Sequence, residues 1–151
     1  VRKKMGIVLA VAGATLAVAT TTAAPVQAAT PAIQISRVYY NSPGSDTRSN
    51  TSLNAENVRL TNTRSVSINL KYWTLRDNTG YTYKFASDFK LAPGASVYIH
   101  TGKGTNTSAH RYWGRASYVW NNTGDKATVR NSAGTAIDTC SWGGTGSVTY
   151  C

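Results

Sequence analysis

The chain has 151 residues, of which 16 are Lys or Arg and 6 are Asp or Glu, giving a formal net charge of +10. Only 15% of residues are charged, whereas 41% are hydrophobic and 10% aromatic, which excludes both a heptad-built coiled coil and a disordered chain. Thr (21), Ser (14) and Asn (11) are abundant beside nine tyrosines, a composition suited to strands and turns.

The first segment reads as an export signal. Arg2, Lys3 and Lys4 form a basic start, and Met5 to Ala19 is apolar or small and uncharged. Thr20 to Ala28 is small and polar and ends in Val26-Gln27-Ala28. This order predicts a secretory signal over 1–28, cleaved after Ala28. The apolar run is shorter than the roughly 20 residues of a membrane span, so no span is expected after cleavage. The remaining 123 residues hold 13 basic and 6 acidic side chains, a charge of +7, and are enough for one core. Both cysteines, Cys140 and Cys151, lie in this part. Outside the cytoplasm they are expected to bond to each other, helped by three glycines between them. A free thiol or an intermolecular bridge is the alternative.

After a linker at 29–32, strand-like runs alternate with turns. Ile33 to Tyr40 is the first strand, with a bulge where the alternation slips between Ile35 and Val38. Asn41 to Asn54 reads as a loop. Val58 and Leu60 share one face, followed by Val66, Ile68 and Leu70 and then Trp73 and Leu75, with a bend near Lys71-Tyr72. Asp77-Asn78-Thr79-Gly80 is a hairpin turn leading into Tyr81, Tyr83 and Phe85. Leu91-Ala92-Pro93-Gly94 predicts a type II turn before Val97 and Ile99. Thr101 to Ala109 is a second long loop. Ala127 and Val129 mark another strand, Ser132-Ala133-Gly134 a turn, and Ile137 to Cys140 the last strand. No stretch combines helical period with caps, so helix should be scarce. Strands recurring about every ten residues predict an all-β sandwich of seven to nine short strands over 33–142, with 143–151 a Gly-rich tail ending in Cys151.

The motifs also carry a resemblance. Glu56-Asn57-Val58-Arg59-Leu60-Thr61-Asn62 resembles the E-x-V-x-L-x-N strand of the lamin tail domain. Leu70-x-x-Trp73-x-Leu75-x-Asp77-x-x-Gly80 and Leu91-x-Pro93-Gly94-x-x-Val97-x-Ile99 resemble its following strands and turns. His100-Thr101-Gly102-Lys103-Gly104, Tyr112-Trp113-Gly114, Trp120-Asn121-Asn122-x-Gly124-Asp125 and Asp138-x-Cys140-Ser141 are similar to a secreted actinobacterial branch of that family. The resemblance implies an immunoglobulin-like β-sandwich with neither catalytic residues nor a cofactor. It further implies a binding, adhesive or tethering role. The filament role of nuclear relatives does not carry over, because no heptad rod is present.

The residues themselves agree on chemistry. The two histidines, His100 on an outward strand face and His110 at a loop end, have no G-x-S-x-G elbow to serve. Glu56 is the only glutamate, so the paired carboxylates of a glycosidase are not indicated, and it reads as a structural carboxylate held by a buried salt link, with one of the arginines as partner, or by a backbone hydrogen bond. The cysteines and histidines lack zinc-finger spacing, so no metal is expected. Trp73 and Trp120 read as core. Tyr112, Trp113, Tyr118 and Trp120 are either a stacking platform or core. Arg111, Trp113 and Arg115 are the candidate ligand contacts, pairing charge with stacking. The expected partners are anionic cell-wall or extracellular polymers, or another protein. A small secreted hydrolase with an unrecognised site, or a structural or inhibitor protein, is the alternative.

Overall fold

Alternation decides the architecture. Val58 and Leu60, and opposite them Val97 and Ile99, are buried, whereas the intervening Arg59 and Tyr98 face out. The computed structural model describes residues 28–151, so the export signal expected over 1–28 lies outside the described residues except for Ala28. In chain order the elements are β1 (Ile33–Tyr39), α1 (Asn50–Ala55), β2 (Asn57–Asn62), β3 (Ile68–Asn69), β4 (Thr74–Arg76), β5 (Thr82–Lys84), β6 (Lys90–Leu91), β7 (Ser96–His100), β8 (His110–Tyr112), β9 (Gly124–Arg130), β10 (Ala136–Gly143) and β11 (Val148–Thr149).

One sheet has the order β11-β1-β2-β7-β8, the second β10-β9-β4-β5, and β3 and β6 form a small ribbon. All pairs are antiparallel except β7 with β8. The chain is thus an all-β, immunoglobulin-like sandwich. Three of the eleven strands among the described residues have only two residues, which is why their number exceeds the expected seven to nine. Ile33, Ile35, Val38, Val58, Leu60, Val97 and Ile99 from the first sheet meet Leu75, Phe85, Ala127, Val129 and Cys140 from the second. Ile68, Trp73 and Ile137, expected in the core, pack against it while partly exposed. The bulge in β1 falls between Ile35 and Arg37, and the Ile35 amide there donates to Asp138 Oδ2 at 2.7 Å. That bond ties β1 to β10 where the two sheets meet.

The turns follow their chemistry. Gly94 adopts φ +68° after Pro93, and Ala95 N donates to Ala92 O at 3.1 Å, closing the expected type II turn. The bend at Lys71-Tyr72 is a turn closed by Trp73 N to Leu70 O at 2.9 Å, with Tyr72 at φ +65°. Two readings are corrected. The loop over Asn41–Asn54 contains α1, capped by the Ser49 side chain, which accepts from Ser52 N. The segment read as a tail supplies β11, whose Val148 and Thr149 pair with Tyr39 and Val38.

Candidate functional site

Glu56 organises the end of the sandwich where α1, the β7–β8 loop and the approach to β9 converge. Its carboxylate is fully buried and accepts three hydrogen bonds. Thr101 Oγ1 donates to Oε2 at 2.8 Å, Val119 N to Oε2 at 3.1 Å and Trp120 N to Oε1 at 3.2 Å. Burial pushes its pKa up to about 7, against the three hydrogen bonds that pull it down. Of the two expected arrangements, backbone hydrogen bonding is the one found: two amides and a hydroxyl satisfy the carboxylate without burying a second charge, and no arginine pairs with it among the described residues.

Those amides fix Trp120 in an aromatic chain through the core. Tyr40 stacks on Trp142 (5.0 Å), Trp142 meets Trp120 edgewise (5.9 Å), and Trp120 meets Trp113 (6.0 Å). Trp113 continues to Tyr83 (6.0 Å), Tyr83 to Phe85 (5.1 Å), and Phe85 to Phe89 (5.3 Å). Trp120 is core as expected, and Trp73 packs against the core. The four aromatics weighed as a platform do not share a surface. Trp113 and Trp120 point inward, Tyr118 hydrogen-bonds Ser52 Oγ at 2.6 Å, and Tyr112 stacks on His100 at 4.9 Å.

The structure separates the proposed contact trio. Trp113 is spent on packing. The Arg111 guanidinium lies 4.3 Å from the Phe89 ring centre, and that of Arg115 lies 3.9 Å from the Tyr81 ring centre. Arg111 joins Lys84, Tyr83 and Tyr112 around a hollow of about 240 Å³. Arg115 joins Arg48 and Lys103 around another of about 280 Å³. Two glycines let the β7–β8 loop pack closely on its neighbours. A Cβ on Gly102 would lie 2.6 Å from Oδ1 of both Asn50 and Asn54, and one on Gly104 would lie 2.5 Å from the Tyr112 ring.

The histidines, expected on an outward strand face and at a loop end, are in contact. His100 Nε2 is 2.9 Å from His110 Nδ1, and His100 Nδ1 is 2.8 Å from the Asn54 carbonyl. The carbonyl can only accept, so His100 carries its proton on Nδ1, and neutral Nε2 accepts from His110. Burial holds the His100 imidazole below its usual range; His110 and Arg37 add to this, and the Asn54 carbonyl opposes it. Tyr98 and Tyr112 complete the stack. No Ser, Cys or carboxylate hydrogen-bonds the pair among the described residues, so it lacks the nucleophile and orienting acid of a triad. Among the described residues, no group of three or more His, Cys, Asp or Glu could hold a metal ion.

The charges are partitioned, which only the fold reveals. Four of the six acids turn inward onto backbone donors. Besides Glu56, Asp77 accepts from Gly80 and Tyr81 N, Asp125 from Asn78, Asn121 and Lys126 N, and Asp138 from Ile35 N. Lys71–Asp88, at 3.4 Å, is the one ion pair among the described residues. The outer face of the second sheet carries Arg76, Lys84, Lys126 and Arg130. Register places hydroxyls between them: Thr74 lies beside Lys84 and Arg130, Arg76 beside Thr82 and Thr128, and Lys126 beside Ser141. Arg76, Lys126 and Arg130 line a hollow of about 220 Å³ over Thr128.

An immunoglobulin-like sandwich with inward acids and outward cations is consistent with a non-catalytic binding domain, although the fold alone does not fix a function. Residues 26–144 match the model of the Lamin Tail Domain, and the chain belongs to that family, an immunoglobulin-like and non-enzymatic one. No curated protein matches the chain. Cys140 and Cys151 are bonded, with Cα atoms 5.8 Å apart. No helix among the described residues is long and apolar enough to cross a membrane. Both facts are compatible with an extracellular location.

Proposed function

We propose that this is a secreted, non-catalytic domain that holds an acidic polymer of the cell surface or the surrounding matrix. The carrying observation is the outer face of the second sheet, where four cations alternate with hydroxyls and the nearby carboxylates are engaged with backbone amides. A flat face of this kind suits an extended polyanion. Guanidinium groups take phosphate or carboxylate in two-point contacts, lysines add charge, and threonines donate further hydrogen bonds. The Arg130 guanidinium is already oriented by donating to Gly134 O at 2.9 Å. The basic start and apolar run of the sequence, together with the disulfide, support export. Arg111 shares a hollow with Lys84 of β5 and extends the basic surface past the edge of that sheet.

The test is retention on phosphocellulose across a salt gradient. The protein should bind at low salt and elute as screening shortens to roughly 8–10 Å. Replacing Arg76, Lys84, Lys126 and Arg130 together by Gln should lower the eluting salt markedly while leaving the melting transition in place. Equal retention of this variant and the unaltered protein would defeat the proposal, as would no retention of either at low salt.

A further inference from the structure

Three cations distant in sequence meet in one hollow. Arg48 precedes α1, Lys103 lies in the β7–β8 loop, and Arg115 follows β8. With Asn50, Leu53 and Ala116 they line a space of about 280 Å³ that holds no acid. That is just under the roughly 300–1,000 Å³ of a drug-sized pocket, so it suits a charged group rather than a large ligand.

The surroundings anchor each of these residues by its backbone. Asn50 grips Lys103 from both sides, its Oδ1 accepting from Lys103 N at 2.7 Å and its Nδ2 donating to Lys103 O at 2.9 Å. Asn54 Nδ2 adds a second bond to that carbonyl at 2.9 Å, in space that Gly102 leaves open. Arg115 N donates to Thr101 O at 2.9 Å. Its guanidinium is steadied over Tyr81, and its Nε is buried without a partner. Arg48 sits at φ +55°, a conformation rare for a residue with a side chain, and its amide donates to Tyr118 Oη at 3.3 Å. Tyr118 is in turn fixed to Ser52 at 2.6 Å. Like charges so placed repel one another, and the one ion pair among the described residues involves none of them.

We infer that this hollow is an oxyanion pocket, taking a tetrahedral group of two negative charges such as a phosphate monoester or inorganic phosphate. Arg48, Lys103 and Arg115 line it together, and a dianion offsets the positive charge they bring. The inference deepens the polyanion reading above by adding a site for a terminal phosphate, distinct from the sheet face that would hold the polymer's length.

The experiment is a titration of the full protein with inorganic phosphate and, separately, glycerol 3-phosphate, followed by amide shifts at low ionic strength. Saturable shifts are expected at Arg48, Lys103, Arg115 and Ala116. The R48Q/K103Q variant changes two exposed side chains and should weaken binding at least tenfold. R115K, which keeps charge but loses the fork, should weaken it several-fold. Tighter binding of the ester supports a polymer end as the source, and tighter binding of inorganic phosphate supports the free ion. No saturable shift at these residues, or unchanged affinity in R48Q/K103Q, would overturn the pocket. The four-Gln sheet variant separates the two proposals. Phosphate binding that survives in it while phosphocellulose retention falls supports both. Phosphate binding without any retention of the unaltered protein leaves the pocket standing and removes the polymer reading. Retention without phosphate binding does the reverse.

Discussion

Replacing Glu56 by Gln tests whether a buried carboxylate surrounded by donors governs stability. In the folded protein its pKa is raised from 4.5 to about 7. Between those values the native state binds more protons than the unfolded state, so stability falls as pH rises. The contribution is fully present below about 4.5 and gone above about 7. Its size is about 3 kcal/mol, at about 1.4 kcal/mol per pKa unit. Gln cannot ionise, so this slope disappears in E56Q. Gln also presents an NH2 where an oxygen now accepts. If its carbonyl keeps Thr101 and Val119, its amide faces the Trp120 N–H, donor against donor. A buried donor left unpaired costs about 1–3 kcal/mol. E56Q should therefore be less stable than the unaltered protein by that amount near pH 4.5, and the deficit should shrink or reverse by pH 8. Urea unfolding followed by tryptophan fluorescence from pH 4.5 to 8.5 measures both curves. The difference between them isolates Glu56 from other titrating groups. A difference independent of pH would refute the reasoning, and so would an E56Q protein as stable as the original at pH 4.5.

His100 pulls the other way: its depressed pKa gives stability that is present above about 6.5 and lost as pH falls through its folded value. In H110A, removal of the stacked ring and its charge should move the His100 ring-proton titration upward by NMR; an unmoved midpoint would contradict the pairing. The double variant C140S/C151S should lose about 3 kcal/mol in urea, the value for a loop of this length. Hydrogen exchange at the Val38 amide and at Tyr40, whose amide donates to Ser147 O at 2.9 Å, should accelerate as β11 loosens, and protection equal to that of the oxidised protein would count against the strap. Gly102→Ala places a methyl 2.6 Å from two amide oxygens, and should destabilise by about 1–3 kcal/mol in thermal melts. A neutral result would mean that α1 yields easily to the β7–β8 loop.

Much of the fold was legible because β2, β7 and β9 alternate cleanly and their turns use Pro and Gly where the backbone needs them. The Cys140–Cys151 bond was legible for want of a competing cysteine. α1 was not, since Asn50-Thr51-Ser52-Leu53-Asn54-Ala55 holds mostly weak helix formers and one buried side chain; its main signal is the Ser49 cap. Glu56 stood out as the one glutamate, but its donors lie 45 to 64 residues away and two are backbone amides, which no side-chain pattern reveals. Basic residues scattered singly along the sequence gave no hint of a face, because strand register gathers Arg76, Lys84, Lys126 and Arg130. Trp113 lies two residues from both Arg111 and Arg115, yet it packs against the core while their guanidinium groups lie over Phe89 and Tyr81; β8 ends at Tyr112, so strand alternation, which would give all three one face, does not set these directions.

The pairing of β11 with β1 has a kinetic consequence. Strand Ile33–Tyr39 is closed on one side by a segment at the far end of the chain, and Gln34 Nε2 donates to Cys151 O across 117 residues. Contacts this distant in sequence form slowly, because a long loop must close before any interaction rewards it. In the exported chain proposed above, a polypeptide threading outward from its N-terminal end cannot complete its first sheet until Val148 and Thr149 have emerged. The chain would stay thin and pliable during passage and acquire its full sandwich only afterwards, on the side where thiols oxidise.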